Sequence, residues 1–137
     1  MANNVVFSDI ESLREVWTVA AEVAAGTPLV NGTKAGVALT DSGGRTRSHA
    51  MGPYTTSGIP SGGVGLAALE VSVATTGTFE FTGVTGVTTG TAQGALIYIT
   101  SAGALTTTAS GNTLFGRVNY PKDYTKAAEK APVKIGA

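Results

Sequence analysis

The sequence predicts an all-β chain: a small antiparallel β-barrel or sandwich, with an N-terminal arm before it and a short basic C-terminal tail after it. Three observations carry this expectation. Apolar and polar residues alternate at period two in several short runs, as in strands with one buried face. Glycine and asparagine turn signals separate those runs at short intervals. Finally, only 13% of the 137 residues are charged, about half the usual share for soluble domains. Threonine, serine and 19 glycines fill the polar positions instead, and these residue types favour strands and turns over helices.

Taken in order, residues 1–16 form the arm. Within it SDIESLREV, residues 8–16, has helical features: Ser8 as a cap, Glu11 completing a capping box, and Ile10, Leu13 and Trp17 on one face. So short a helix is marginal alone, so the arm either docks or lies extended. The body, residues 17–121, opens with WTVAAEV and TPLV. Asn31-Gly32 then gives a strong hairpin signal, and AGVALT returns from it. Residues 41–63 are dense in glycine and proline and read as a long loop, a length that is usually functional or disordered.

Beyond that loop, alternation sets Leu69, Val71 and Val73 on one face, and Phe79 and Phe81 on another. ALIYIT is apolar on both faces, and Ser101–Gly103 and Ser110–Asn112 turn the chain into ALTTTA and TLFGRVNY. Phe79, Phe81, Leu96, Tyr98, Leu114 and Val118 are the expected core. Residues 122–137 form the tail, in which Lys122, Lys126, Lys130 and Lys134 recur every four residues. That strip either stays solvated or pairs with acidic surface on a neighbouring subunit, and Pro132 would interrupt a helix there.

One domain is the expectation at this length, large enough to bury roughly 68% of its unfolded surface. No cysteine is present, which removes disulfides and thiolate metal sites. Nine basic and nine acidic side chains cancel, so no electrostatic footprint for nucleic acid exists. Their distribution is uneven. Residues 1–25 carry four acids against Arg14, a net of −3, and from Arg117 on five bases outweigh two acids, a net of +3. MANNVVFSDIESLREVW has neither the basic nor the apolar region of a secretory signal, and no apolar run approaches the roughly 18 residues that would span a membrane.

Catalytic chemistry finds few candidates. The single histidine, His49, lies in the 41–63 loop beside Arg45 and Arg47, so it reads as a solvated loop residue rather than the base of a triad. One histidine and unclustered carboxylates leave no expected metal site. Gly63-Val-Gly65-Leu-Ala-Ala68 matches the loose G-x-G-x-x-A pattern of dinucleotide sites, but that fingerprint requires a strand before it and a helix after it. Here β-patterned sequence follows. Asn31-Gly-Thr33 fits a glycosylation sequon and is read as turn chemistry. No enzyme, cofactor or small-molecule substrate is expected.

From about Val19 to Tyr120 the chain resembles a family of small tailed-phage capsid decoration, or cement, proteins. The residues that carry the resemblance are Ala25-Gly-Thr-Pro-Leu-Val30, Gly36-Val-Ala-Leu39, Gly77-Thr-Phe79, Gly94-Ala-Leu-Ile-Tyr98 and Thr106-Thr-Thr-Ala-Ser-Gly-Asn-Thr-Leu-Phe-Gly116. Two departures stand out: Gly94-Ala95 where the family usually has Gly-Asp, and a 41–63 loop longer than usual. The resemblance implies a structural virion protein on the outer capsid surface, present in the host cytoplasm during assembly. Its partners would be the major capsid protein and itself, as a homotrimer, with no nucleic acid and no membrane. The expected contact residues are Val5, Phe7, Ile10 and Leu13 in the arm, Arg45, Arg47 and His49 in the loop, and Lys126 and Lys130 in the tail. The alternative is a carbohydrate-binding or fibre-type β-domain using Tyr54, Trp17 or Tyr120 as a stacking platform.

Overall fold

A computed structural model describes residues 14–62 and 65–136. Within strands, the side chains of residues 47–51, 55 and 56 also lie outside the described set. The described chain is all-β, with no helix. Eleven strands follow one another: β1 (Arg14–Thr18), β2 (Pro28–Asn31), β3 (Lys34–Ala38), β4 (Thr46–Met51), β5 (Tyr54–Pro60), β6 (Glu70–Ala74), β7 (Gly77–Thr82), β8 (Leu96–Ile99), β9 (Leu105–Thr106), β10 (Thr113–Val118) and β11 (Lys130–Ile135). They make a four-stranded sheet ordered β1-β6-β3-β2, a five-stranded sheet ordered β7-β11-β10-β8-β9, and a two-stranded sheet of β4 and β5. Every registered strand pair is antiparallel.

Where length alone suggests one domain, the chain falls into two compact units. One holds the described residues up to Thr27 with Val37–Ala74; the other holds Pro28–Gly36 with the residues from Thr75 on. In the first, β1 pairs with β6 from Arg14↔Ala74 to Thr18↔Glu70, and alternation buries Val71 and Val73 completely. The strand thus begins at Arg14, three residues before the expected boundary of the arm. Residues 14–16 are extended, not helical, and the rest of the expected helix lies outside the described residues. Trp17 is 7% exposed, and its indole N–H donates to Glu15 Oε2 at 2.8 Å.

The β2–β3 hairpin forms where Asn31-Gly32 predicts it. Its two turn residues are Gly32 and Thr33, and only Gly32 has positive φ, at 64°, the φ signs of a type II′ turn.

The second unit buries Phe81, Ile97, Ile99, Phe115, Val118, Ala131, Val133 and Ile135, among others. This corrects the expected core. Phe81 and Val118 lie inside and Phe79 and Tyr98 are half-buried, but Leu96 is 37% and Leu114 47% exposed. Leu96 lies outward because β8, apolar on both faces, turns Ile97 and Ile99 inward; for Leu114 the cause is a β-bulge. Leu114 pairs with Tyr98, whereas Gly116 pairs with Ile97, so Phe115 is an extra residue that resets the alternation. Phe115 points inward before the reset, Gly116 and Val118 after it. Gly116 is required there: a Cβ would sit 2.8 Å from Val133 Cγ1 and meet the Lys134 carbonyl oxygen.

Residues 122–137 are likewise not a solvated tail. Lys130–Ile135 form β11, hydrogen-bonded between β7 and β10 in the sheet interior. The run K-A-P-V-K-I alternates, burying Ala131, Val133 and Ile135. Pro132 is tolerated because its carbonyl accepts from Asn119 N at 2.9 Å, just past the last β10 residue. The absent N–H therefore faces a place where the β10 ladder has already ended.

Candidate functional site

The expected 41–63 loop is mostly a β-hairpin. Thr46↔Pro60 through Met51↔Tyr54 are paired, and neither strand joins another sheet among the described residues. Gly52, with φ 59°, and Pro53 make the two-residue turn. Ser57 and Gly58 stand opposite Ser48, a bulge that Gly58 accommodates at φ 73°. Tyr54 at the turn is 76% exposed. Strand β5 carries no charge, and among the described residues neither hairpin edge pairs with a further strand, which leaves backbone groups of the kind that can template strand pairing.

The hairpin is held at its base. Asp41 is 1% exposed; its Oδ1 accepts from Ala25 N at 2.9 Å, and its Oδ2 lies 3.8 Å from Arg45 Nε. Ser42, fully buried, accepts from Val23 N through Oγ at 3.0 Å and donates its own N–H to Val23 O at 3.0 Å. Ser61 N donates to Arg45 O at 2.9 Å, and Asp41 bridges Gly62. Two glycines let the strands cross closely. A Cβ on Gly62 would lie 2.7 Å from Ser42 O, and one on Gly43 2.9 Å from Leu66 O. Sequence reasoning passed over Asp41 and Ser42. The signal was Asp41 as the sole acid between Glu22 and Glu70, directly ahead of Ser-Gly-Gly.

The expected contact residues are therefore dispersed. Arg45 belongs to the base of the hairpin, where its side chain is 34% exposed and faces Asp41. Arg47 and His49 have backbones in β4, but their side chains lie outside the described set. Val5, Phe7, Ile10 and Leu13 lie outside the described residues altogether.

Lys126 and Lys130 join a cluster in the second unit. Lys126 Nζ stands 4.5 Å from the centroid of the Tyr120 ring, Tyr120 stacks on Tyr124 at 5.5 Å, and Tyr124 Oη donates to Glu80 Oε2 at 3.0 Å. Lys130 Nζ meets the other Glu80 oxygen at 3.3 Å. Next to this, Tyr120 N donates to Gln93 Oε1 at 2.6 Å, Gln93 to Asn119 Oδ1, and Asn119 Nδ2 to Thr78 Oγ1. Together these contacts tie residues 119–126 to the outward side of β7, where Thr78 and Glu80 lie. The Tyr124 hydroxyl is pushed above its ordinary pKa, first by desolvation and then by its hydrogen bond to Glu80 and the charge there.

Among the described residues no three His, Cys, Asp or Glu side chains gather as metal ligands, and no helix is long and apolar enough to cross a membrane. The Gly63–Ala68 stretch leads into β6, not a helix. Compared with family models, with characterised proteins and with solved structures, the chain matches none.

Proposed function

We propose that this chain is a structural virion protein that binds the outer surface of a phage capsid and stabilises the head, assembling as a trimer at sites of local three-fold symmetry. The observation that supports it is the β4–β5 hairpin: a ribbon whose edges pair with no further strand among the described residues, with an exposed Tyr54 at its turn, fixed at its base by Asp41 and Ser42. A two-stranded ribbon is marginal alone in water, so it gains most from a partner. The segments that resemble the decoration family fall on β2, β3, β7, β8, β9 and β10. Binding the assembled shell and not its free subunits shifts the equilibrium toward assembly, and several hairpins per trimer multiply weak contacts into avidity.

The test is titration onto decoration-free heads, with bound copies counted in a cryo-electron reconstruction. The reading predicts saturable binding and heads that survive higher temperature. Replacing residues 47–59 by a short glycine-serine link keeps the base intact and is expected to abolish attachment. Absence of binding by the wild-type chain refutes the reading.

A second reading, a carbohydrate-binding domain, is favoured by Tyr54 and by the amides of Gln93 and Asn119 beside Tyr120. Against it, Trp17 is buried, and the Tyr120 ring already carries Tyr124 and Lys126. Selective binding on a glycan array would establish it.

A further inference from the structure

Leu114, outward before the bulge, and Arg117, outward after it, share a surface with residues of β8 and β11. Leu114 pairs directly with Tyr98, and Leu96 directly with Arg117; Arg117 pairs in turn with Lys134, which pairs with Thr78. Directly opposed residues share a face, so one row runs Leu96–Arg117–Lys134 across β8, β10 and β11, with Leu114 and Tyr98 alongside it. Leu96 is 37% and Leu114 47% exposed, and Arg117 and Lys134 are exposed as well. Residues 119–126 reach β7 through Tyr124 on Glu80 and Asn119 on Thr78, while Leu96, Leu114, Arg117 and Lys134 remain exposed.

The two cations are the informative feature. Like charges directly opposite one another oppose sheet formation, and among the described residues neither has an acidic partner. The acid nearest in register, Glu80, is engaged by Lys130 and Tyr124. A repulsive pair beside exposed leucines is poorly suited to an isolated chain and well suited to a surface bearing carboxylates around aliphatic side chains.

We infer that the outward face of β8, β10 and β11 docks an acidic, aliphatic-centred protein surface. This rests on the reading proposed above, in which that surface belongs to the capsid shell. The apolar side chains hold the contact, and Arg117 and Lys134 select and orient it.

The experiment measures the full chain twice, by melting temperature alone and by titration onto decoration-free heads. Lys134→Glu converts the repulsive pair into an attractive one, so its melting temperature stays at or above that of the wild type. Its affinity for heads falls at least about tenfold, the equivalent of one lost charge pair. Leu114→Ser melts near the wild type and also binds more weakly. Should the wild type bind and both variants bind equally well, this inference falls and the proposed function stands. If the wild type does not bind heads at all, both fall. A Lys134→Glu variant that instead dissociates a self-assembled oligomer in sedimentation makes the occupant a second copy of the chain. Loss of binding to anionic vesicles, with head binding intact, makes it a membrane. Either result overturns the assignment to the shell.

Discussion

Phe115 and Phe81 meet edge to face, with ring centroids 5.8 Å apart and planes at 77°. Phe115 reaches this position because the bulge inserts it as an extra residue, so the pair depends on a backbone irregularity as much as on two large side chains. Truncating either ring to alanine is expected to cost about 3–5 kcal/mol in urea unfolding. The double variant should cost less than the sum by about 0.5–1.5 kcal/mol, the edge-to-face term. Leu114→Ala, one residue away and half exposed, should change stability by only about 0.5 kcal/mol. Equal costs at Leu114 and Phe115 would place the bulge elsewhere.

Gly116 tests the same bulge by addition. An added methyl would press on Val133 and on the Lys134 carbonyl, and Gly116→Ala is expected to destabilise by about 1–3 kcal/mol through overpacking. Gly111→Ala has open space but positive φ, at 75°, so its cost comes from the backbone, about 1–2 kcal/mol. Thermal unfolding of the two variants checks both figures; an unchanged Gly116→Ala refutes the packing described at β10 and β11.

At the hairpin base, Asp41→Ala leaves the Ala25 N–H without its acceptor. The expected loss is about 1–3 kcal/mol. Because Asp41 also faces Arg45 and bridges Gly62, hydrogen exchange at the Ser61 amide should accelerate while Val71 and Val73 in β6 keep their protection. Uniform acceleration across the first unit would mean that Asp41 supports the whole unit and not the hairpin.

Tyr124 gives a pH signature. Its folded pKa is raised above the ordinary value of 10.0, so any stability that it contributes is present below pH 10 and is lost as pH rises through the folded value. Ultraviolet titration of the phenols should show one tyrosine ionising later than a free one, and Glu80→Gln should bring it back toward the ordinary range. A titration curve insensitive to Glu80→Gln would exclude the Tyr124–Glu80 hydrogen bond in solution.

Much of the fold was legible because it is local. The Asn31-Gly32 hairpin, the turns at Gly103 and Gly111, and the alternation of Val71 and Val73 each depend on a few adjacent residues, and the structure realises them. The inward phase of β8 and β10 was not legible. A bulge is one extra residue, and a run apolar on both faces, such as ALIYIT, gives no sign of which face turns in. Strand β11 was hidden by its lysines: a charged run with a proline in it reads as a solvated tail or a basic strip, and residues four apart share a face in a helix and also in a strand, so the spacing does not single out a strand. Its pairing with β7 lies about fifty residues away, beyond any local signal. The β4–β5 hairpin was obscured by glycine and proline, which mark loops but here serve a two-residue turn and a bulge. Of the candidate site, the 41–63 segment could be read, and Asp41 was distinguishable as the sole acid between Glu22 and Glu70, but its burial could not be read, because burial of a single acid is set by tertiary packing.

The place of β11 between β7 and β10 also bears on how the chain is made. The ribosome delivers β7 about fifty residues and β10 about eleven residues before β11, so at about 5–20 residues per second the two flanking strands wait together for β11 for about a second. During that interval both flanking strands expose edges that belong to a strand not yet synthesised. Nascent chains on one message are then close enough to borrow strands from each other. Any fragment that stops short of Lys130 keeps those edges permanently and is a seed for aggregation rather than a shorter working protein.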